Sequence, residues 1–379
     1  MIYMDAAATT AVNQEILQTI WPLLSHDFGN PSSRHELGAS AARALDYARG
    51  TAADALGVRG SDVVFTSGGT EANNLALKGL ALAAPRGKHL VISQIEHSSI
   101  HRAAEDLERL HGFDVSVVGV DASGVVDPAD VQRVLRADTT LVSVMAANNE
   151  VGTVQPISRI AAVAKDAGAL MHTDAVQAAA WLDVPQLAAQ VDALSISGHK
   201  LGGLKGAGVL MVRARHELVS QISGGGQERG RRSGTENVAG AVATALALKN
   251  AVVATAEDDG TAQRFAEYLR DGVVRGVGER ALPTGDPHQR VPGIVSFCFP
   301  GTSGEAVLLE LERRGVLCSS GSACHADSEE PSPVLLAMGF SPDVALTSVR
   351  LSFSRGVKEA EITQTVRAVV AAVNAVAGT

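Results

Sequence analysis

The chain has 379 residues, 46% of them hydrophobic and 19% charged, with a formal net charge of -9. That length exceeds one ordinary hydrophobic core and predicts two domains. The negative balance and an aromatic content of 3% argue against a general grip on phosphate backbones or a base-stacking platform, so direct nucleic-acid binding is not expected.

The three cysteines are Cys298, Cys318 and Cys324. A small odd number without a CxxC pair argues against a disulfide framework and a structural zinc site, and no metal is expected. The opening MIYMDAAATT has no basic stretch followed by an apolar one, so no signal peptide is expected. No uninterrupted apolar run reaches the roughly 18 residues of a membrane span. The expected location is the cytoplasm.

The first dozen residues show no clear periodicity. From about residue 60, short β-like runs alternate with helical stretches. Strands are predicted at Asp62–Thr66, His89–Ser93, Asp114–Val118, Thr140–Val144, Ala169–Thr173 and Ala193–Ser197, with helices such as Glu71–Ala83, Ser99–His111 and Ser158–Ala167 between them. Apolar strands separated by helices predict a parallel α/β sheet covered on both faces. Near Ser223 the chain turns Gly- and Arg-rich, SGGGQERGRRSGTEN, and long helices are predicted at Val238–Ala256 and Ala262–Val277. The remainder, with strands at Ile294–Phe299 and Ser348–Ser354 and helices at Ser303–Arg314 and Lys358–Ala377, predicts a smaller α+β domain.

The ends of these strands carry the polar residues. Lys200 lies between the apolar runs Ala193–Ser197 and Ala207–Val212, a poor place for a solvated charge. A partly desolvated amine there is a candidate Schiff-base nucleophile. The segment TSGGTEANN, Thr66–Asn74, follows a strand and opens a helix, so Gly69 and Thr70 are candidates for an anion cradle, the alternative being a capped turn. It lacks the spacing of a Walker loop or a dinucleotide fingerprint. Asp174, past its strand, could keep a pyridinium nitrogen protonated, and Gln177 could reach a ring hydroxyl; an ordinary helix cap is the alternative. His97 is a candidate ring-stacking or proton-shuttling group, and Asn149 falls on another strand end. In a parallel sheet, Thr70, His97, Asn149, Asp174 and Lys200 share one edge. Together they point to pyridoxal phosphate.

Two features lie in the C-terminal part. Small residues and Pro331 predict an exposed loop around Cys324, with a thiol able to reach into a site, whereas Cys298 and Cys318 read as inert core residues. His325 beside it could promote thiolate formation. Arg350 interrupts an apolar run and is a candidate bidentate anchor for a substrate carboxylate, or else half of a structural ion pair.

Over essentially its whole length the chain resembles the cysteine desulfurases of the class V aminotransferase superfamily. The resemblance rests on YMDAAATT, FGNPSSRHELG, TSGGTEANN, EHSSI, NNEVG, HTDAVQ, SGHKLGGLKGAG, RSGTEN and SSGSAC. It implies the fold type I of pyridoxal-phosphate transferases, with a mostly parallel seven-stranded sheet in a large domain, 14–255, and a smaller domain made of 1–13 and 256–379. It implies that Lys200 binds the cofactor covalently, that His97 stacks on its ring, and that Asp174, Gln177 and Asn149 contact the ring's polar atoms. Gly69, Thr70, Ser197 and His199 would hold the phosphate, and Thr235 would reach the phosphate of the neighbouring subunit in a homodimer. Arg350, with Asn149 beside it, would bind L-cysteine, and Cys324 would take its sulfur as a persulfide. The long segment from Cys324 to Pro331 resembles the subgroup with a flexible catalytic loop, although His325 stands where that family has a small residue. The sulfur would pass to an acceptor protein: an iron–sulfur scaffold, a tRNA-thiolation enzyme, a sulfur carrier or a DNA-phosphorothioation protein. A selenocysteine lyase or another class V enzyme is the nearest alternative, and a non-catalytic iron–sulfur partner is the rival from another class.

Overall fold

A computed structural model describes residues 1–83, 86–321 and 330–378. After a short strand β1 (Ile2–Tyr3), seven strands form one sheet: β2 (Val63–Thr66), β3 (His89–Ser93), β4 (Asp114–Val118), β5 (Thr139–Ser143), β6 (Leu170–Asp174), β7 (Ala193–Ser197) and β8 (Gly208–Val212). Their spatial order is β2-β8-β7-β6-β5-β3-β4. Strands β3 to β7 pair in parallel, whereas β8 runs antiparallel to both β2 and β7. The reversal has a simple cause: the glycine-rich connection from Ser197 to Gly208 is too short for a crossover and can only turn back.

Every residue of β2, β3, β5, β7 and β8 is buried, because helices cover both faces. Of the other two, β6 is buried except for half-buried Leu170, and β4, at the edge, is largely open to solvent. Side chains alternate between two apolar clusters, as a period of two requires: Val209 and Met211 of β8 join one, Leu210 and Val212 the other. The first cluster includes Ile16, Ile20, Leu56 and Leu248 from covering helices; the second includes Leu75, Leu80 and Leu107. Helix Val238–Ala256 is long and apolar enough to cross a membrane by length and mean composition, although Lys249 and Asn250 interrupt its apolar run. More than half of that window is buried inside the protein, and it packs on helices Glu36–Leu56 and Gln14–Ser25 as a core element.

A third cluster surrounds a smaller sheet. Strands β9 (Leu282–Pro283), β10 (Ile294–Cys298) and β12 (Ser348–Ser352) pair antiparallel, while β11 (Val316–Leu317) takes β1 as a parallel partner. Phe297, Phe299, Leu351 and Phe353 pack there against Leu269 and Val373 of the long helices Thr261–Val277 and Glu359–Ala377. Cys298 is fully buried, and burial pushes its thiol up to about 12. Cys318 is pushed equally high, again by burial. Neither is a ready thiolate at neutral pH.

The N-terminal residues stitch the two parts together. Ala6 N donates to the Ser352 carbonyl (3.0 Å), Thr10 N to the His199 carbonyl (2.9 Å) and Asn13 N to the Gly202 carbonyl (2.9 Å). Residues 6–13 thus run directly over the turn that carries Lys200.

Candidate active site

The carboxyl ends of β2, β3, β5, β6 and β7 face one edge of the large sheet, and the expected residues follow them. Helix Gly69–Ala83 starts two residues earlier than the predicted Glu71, so the Gly69 and Thr70 amides lie in its first turn. No preceding helical carbonyl can pair with such amides. Gly69 is needed at this point: a Cβ there would lie 2.7 Å from Val176 Cγ2. The backbone therefore approaches the β6 end more closely than any other residue permits. Thr70 is exposed, and Ser197, at the end of β7, is buried. First-turn amides with neighbouring hydroxyls are the donor set of a phosphate site.

Asp174 ends β6 and is 4% exposed. Asn73 Nδ2, from the helix behind it, donates to Asp174 Oδ2 (2.7 Å) and to Ser99 Oγ (2.9 Å). Val176 N donates to the other carboxylate oxygen (2.9 Å). Ser99 in turn meets His97: its backbone N–H donates to His97 Nδ1 (3.2 Å), and its hydroxyl lies 2.8 Å from the same atom. Because Nδ1 accepts the amide, the proton of the neutral ring sits on Nε2. Asn73 and Ser99 thus connect the candidate ring partner to the candidate stacking residue. Sequence reasoning assigned neither a role. The available signal was helical spacing, since Asn73 lies four residues after Gly69 and turns to the same side.

Lys200 is half-buried, and its Nζ donates to the carbonyls of Ala7 and Ala8, the latter at 2.7 Å. Gln177 Nε2 donates to the same Ala7 carbonyl (2.9 Å). His199 Nδ1 is 3.0 Å from Thr9 Oγ1, and burial, aided by Lys200 and Lys205, pushes His199 down to about 4, so it is neutral at pH 7. Lys200 and Gln177 border one cavity of about 340 Å3. His97 and Asn149 border another of about 340 Å3, walled also by Glu96, His101, Glu150 and Gly321. The pull of the Ala7 and Ala8 carbonyls accounts for Lys200 facing the first cavity.

Arg350 rises from β12 and is 2% exposed. Its Nη1 donates to the Asn149 carbonyl (2.9 Å), its Nη2 to Asp5 Oδ1 (3.0 Å), and its Nε has no partner among the described residues. The ion pair considered from sequence is therefore real, with Asp5, yet further N–H donors of the guanidinium, Nε–H among them, take no partner among the described residues. Glu96 is buried beside this edge. Its Oε1 accepts from Ser93 Oγ (2.5 Å) and Met145 N (2.8 Å), while its Oε2 has no partner among the described residues. Burial pushes its carboxyl up to about 8.

Two expected residues stand apart. Thr235 is exposed and makes no side-chain hydrogen bond among the described residues. Its segment is tied down by Arg232 Nε donating to Glu71 Oε1 (2.9 Å). The neighbouring Arg229 and Arg231 spend their guanidinium groups on backbone carbonyls of Val63 and Ser61, so this basic cluster is a structural staple. Cys324 and His325 lie outside the described residues.

A doubly wound sheet with a lysine, a carboxylate and a phosphate-type turn on one edge defines a class of cofactor-dependent transferase. The aminotransferase class-V family model matches residues 2–365. The cysteine desulfurase IscS of Dictyoglomus turgidum is 41% identical over 355 residues, covering 93% of this chain and 89% of that protein. The structure of a NifS-like protein superposes with a TM-score of 0.89 at 33% identity, covering 98% of this chain and 99% of the other. A structure described as SspA in complex with cysteine gives a TM-score of 0.80 at 34% identity, covering 93% and 99%. The chain therefore belongs to the class-V aminotransferase family, whose members are pyridoxal-phosphate enzymes, and within it to the cysteine desulfurases.

Proposed function

We propose that the protein is a homodimer that binds pyridoxal phosphate, converts L-cysteine to L-alanine, and passes the sulfur through Cys324 to an acceptor protein. The donors present fit that cofactor. First-turn amides of Gly69 and Thr70, with Ser197 and His199, suit its phosphate. Buried Asp174, oriented by Asn73, suits a protonated ring nitrogen, and Gln177 suits the ring oxygen. When bound through Lys200, the group would supply an electron sink for charge developing at the substrate Cα.

The protein's own residues do the rest. Arg350 holds the substrate carboxylate through guanidinium N–H groups that Asn149 and Asp5 leave free, which is the observation that carries the assignment of the substrate end. Charge-assisted pairing of this kind orients the amino acid as well as binding it. His97, with its proton on Nε2, is placed to move protons on one side, and the Lys200 amine on the other. The Cys324 thiolate attacks the substrate sulfur. The Cβ–S bond breaks, its electrons return as a C–H bond of alanine, and the sulfur remains on Cys324 as a persulfide. Cysteine plus one protein thiol give alanine plus one protein persulfide, with no outside oxidant.

We assign residues 14–255 to the cofactor-binding domain and 1–13 with 256–379 to the smaller one. Thr235 would meet the phosphate bound in the other subunit. The acceptor is a protein that takes sulfane sulfur, in the cytoplasm. Replacing Cys324 by Ala tests the reading. The yellow absorbance and the spectral response to cysteine should persist while sulfur transfer and alanine formation stop. Full turnover by that variant would overturn it.

A further inference from the structure

Glu150 follows Asn149 on the β5 side of the site, is 7% exposed, and has no part in the chemistry described so far. Its backbone is held rigidly, with Glu150 N donating to the oxygen of buried Asn148 (2.8 Å), whose amide donates to the Ile95 carbonyl (3.1 Å). Its side chain points to the opposite half of the molecule. Ser332 Oγ donates to Glu150 Oε2 at 2.5 Å, and the same hydroxyl accepts from Leu335 N (3.2 Å), capping helix Pro333–Ala337. Gly321 reaches that carboxylate oxygen from the other direction. A Cβ built on Gly321 would lie 2.9 Å from Glu150 Oε2, which places the Gly321 backbone close beside that carboxylate oxygen. Gly321 N also donates to Ser348 Oγ (3.4 Å), and Ser319 exchanges backbone hydrogen bonds with Arg350.

Gly321 and Ser332 flank the stretch of chain that contains Cys324. One carboxylate oxygen therefore binds the chain after the candidate nucleophile and lies close beside the chain before it. The residue bearing that oxygen is bonded in sequence to Asn149, whose carbonyl fixes Arg350. We propose that Glu150 is a positioning residue for sulfur transfer, holding the flank that follows the Cys324 segment at a set place relative to the substrate-carboxylate anchor. The inference rests on Cys324 being the sulfur acceptor. A misplacement of about 1 Å between reacting groups costs about 100-fold in rate. A loosened base should therefore slow the attack by Cys324 while leaving cysteine binding, which depends on Arg350, in place.

The test uses holoenzyme of Glu150→Ala, Glu150→Gln and Ser332→Ala, with Cys324→Ala as a control. Cysteine binding is read from the change in cofactor absorbance on mixing, and transfer from persulfide formed on Cys324 in a single turnover. For Glu150→Ala the transfer rate should fall about 10- to 100-fold while the cysteine concentration at half-maximal absorbance change moves less than about threefold. Glu150→Gln, which keeps a carbonyl for Ser332, should restore most of the transfer rate. Ser332→Ala removes the same bond from the other side, should show the same split, and carries the test if Glu150→Ala does not fold. A transfer rate within about twofold of wild type in both variants would overturn the inference, as would an equal loss in binding and transfer. If Cys324→Ala itself turns over normally, the functional reading falls; if only the Glu150 and Ser332 variants do, the inference alone falls.

Discussion

Glu96 provides a quantitative test of the edge on which the site is built. Its carboxyl is buried, with one oxygen bonded to Ser93 and Met145 and the other without a partner among the described residues. Burial raises it from 4.5 to about 8, with nearby Asp174 acting in the same direction. Between those values the folded protein keeps a proton that the unfolded chain has released. Stability therefore falls as pH rises from about 4.5 to about 8, and levels off above it. At about 1.4 kcal/mol per pH unit, the full cost at pH 9 is on the order of 5 kcal/mol. Glu96→Gln keeps the shape and the accepting carbonyl but cannot ionise. Urea unfolding of both proteins from pH 5 to 9 should give similar midpoints at the acid end. The variant should gain steadily above it, by several kcal/mol at pH 9. A gap between the two proteins that does not change with pH would refute the neutral, buried acid.

Three further outcomes follow from the same geometry. Asn73→Ala leaves Asp174 Oδ2 without its buried donor, a loss of about 1–3 kcal/mol, so cofactor should dissociate about 10- to 100-fold more readily, as followed by absorbance during dialysis. Arg350→Lys cannot bridge the Asn149 carbonyl, Asp5 and a substrate carboxylate with one point charge; the KM for cysteine should rise at least about 10-fold with cofactor binding unchanged. His172 is fully buried between Ser143 and Ser195, and burial pushes it down to about 3. It is neutral when folded and charged when unfolded below about 6.5, so stability should fall as pH drops below that value. His172→Gln should flatten this acid limb in matched thermal melts.

Much of the fold was legible in the sequence because its signals are local. Apolar runs bounded by glycines gave the strands within a residue or two: Ala193–Ser197 and His89–Ser93 match the predicted bounds, as does the helix Val238–Ala256. Lys200, Asp174, His97 and Thr70 were visible because each directly follows such a run, and strand ends of a parallel sheet must share an edge. The direction of β8 was not, since the same apolar pattern serves either direction; the shortness of its connection decides it.

What the sequence by itself determined, then, is which chemical groups this protein brings to the sheet edge. What the tertiary structure decided is how those groups are held. Asn73 meets Asp174 across 101 positions, Glu150 meets Ser332 across 182, and Arg350 meets Asp5 across 345. No local propensity marks such pairs. A buried hydrogen bond is specified by the packing of whole elements, and only when strands, helices and turns distant in the chain pack together do these donors lose water and take one another as partners.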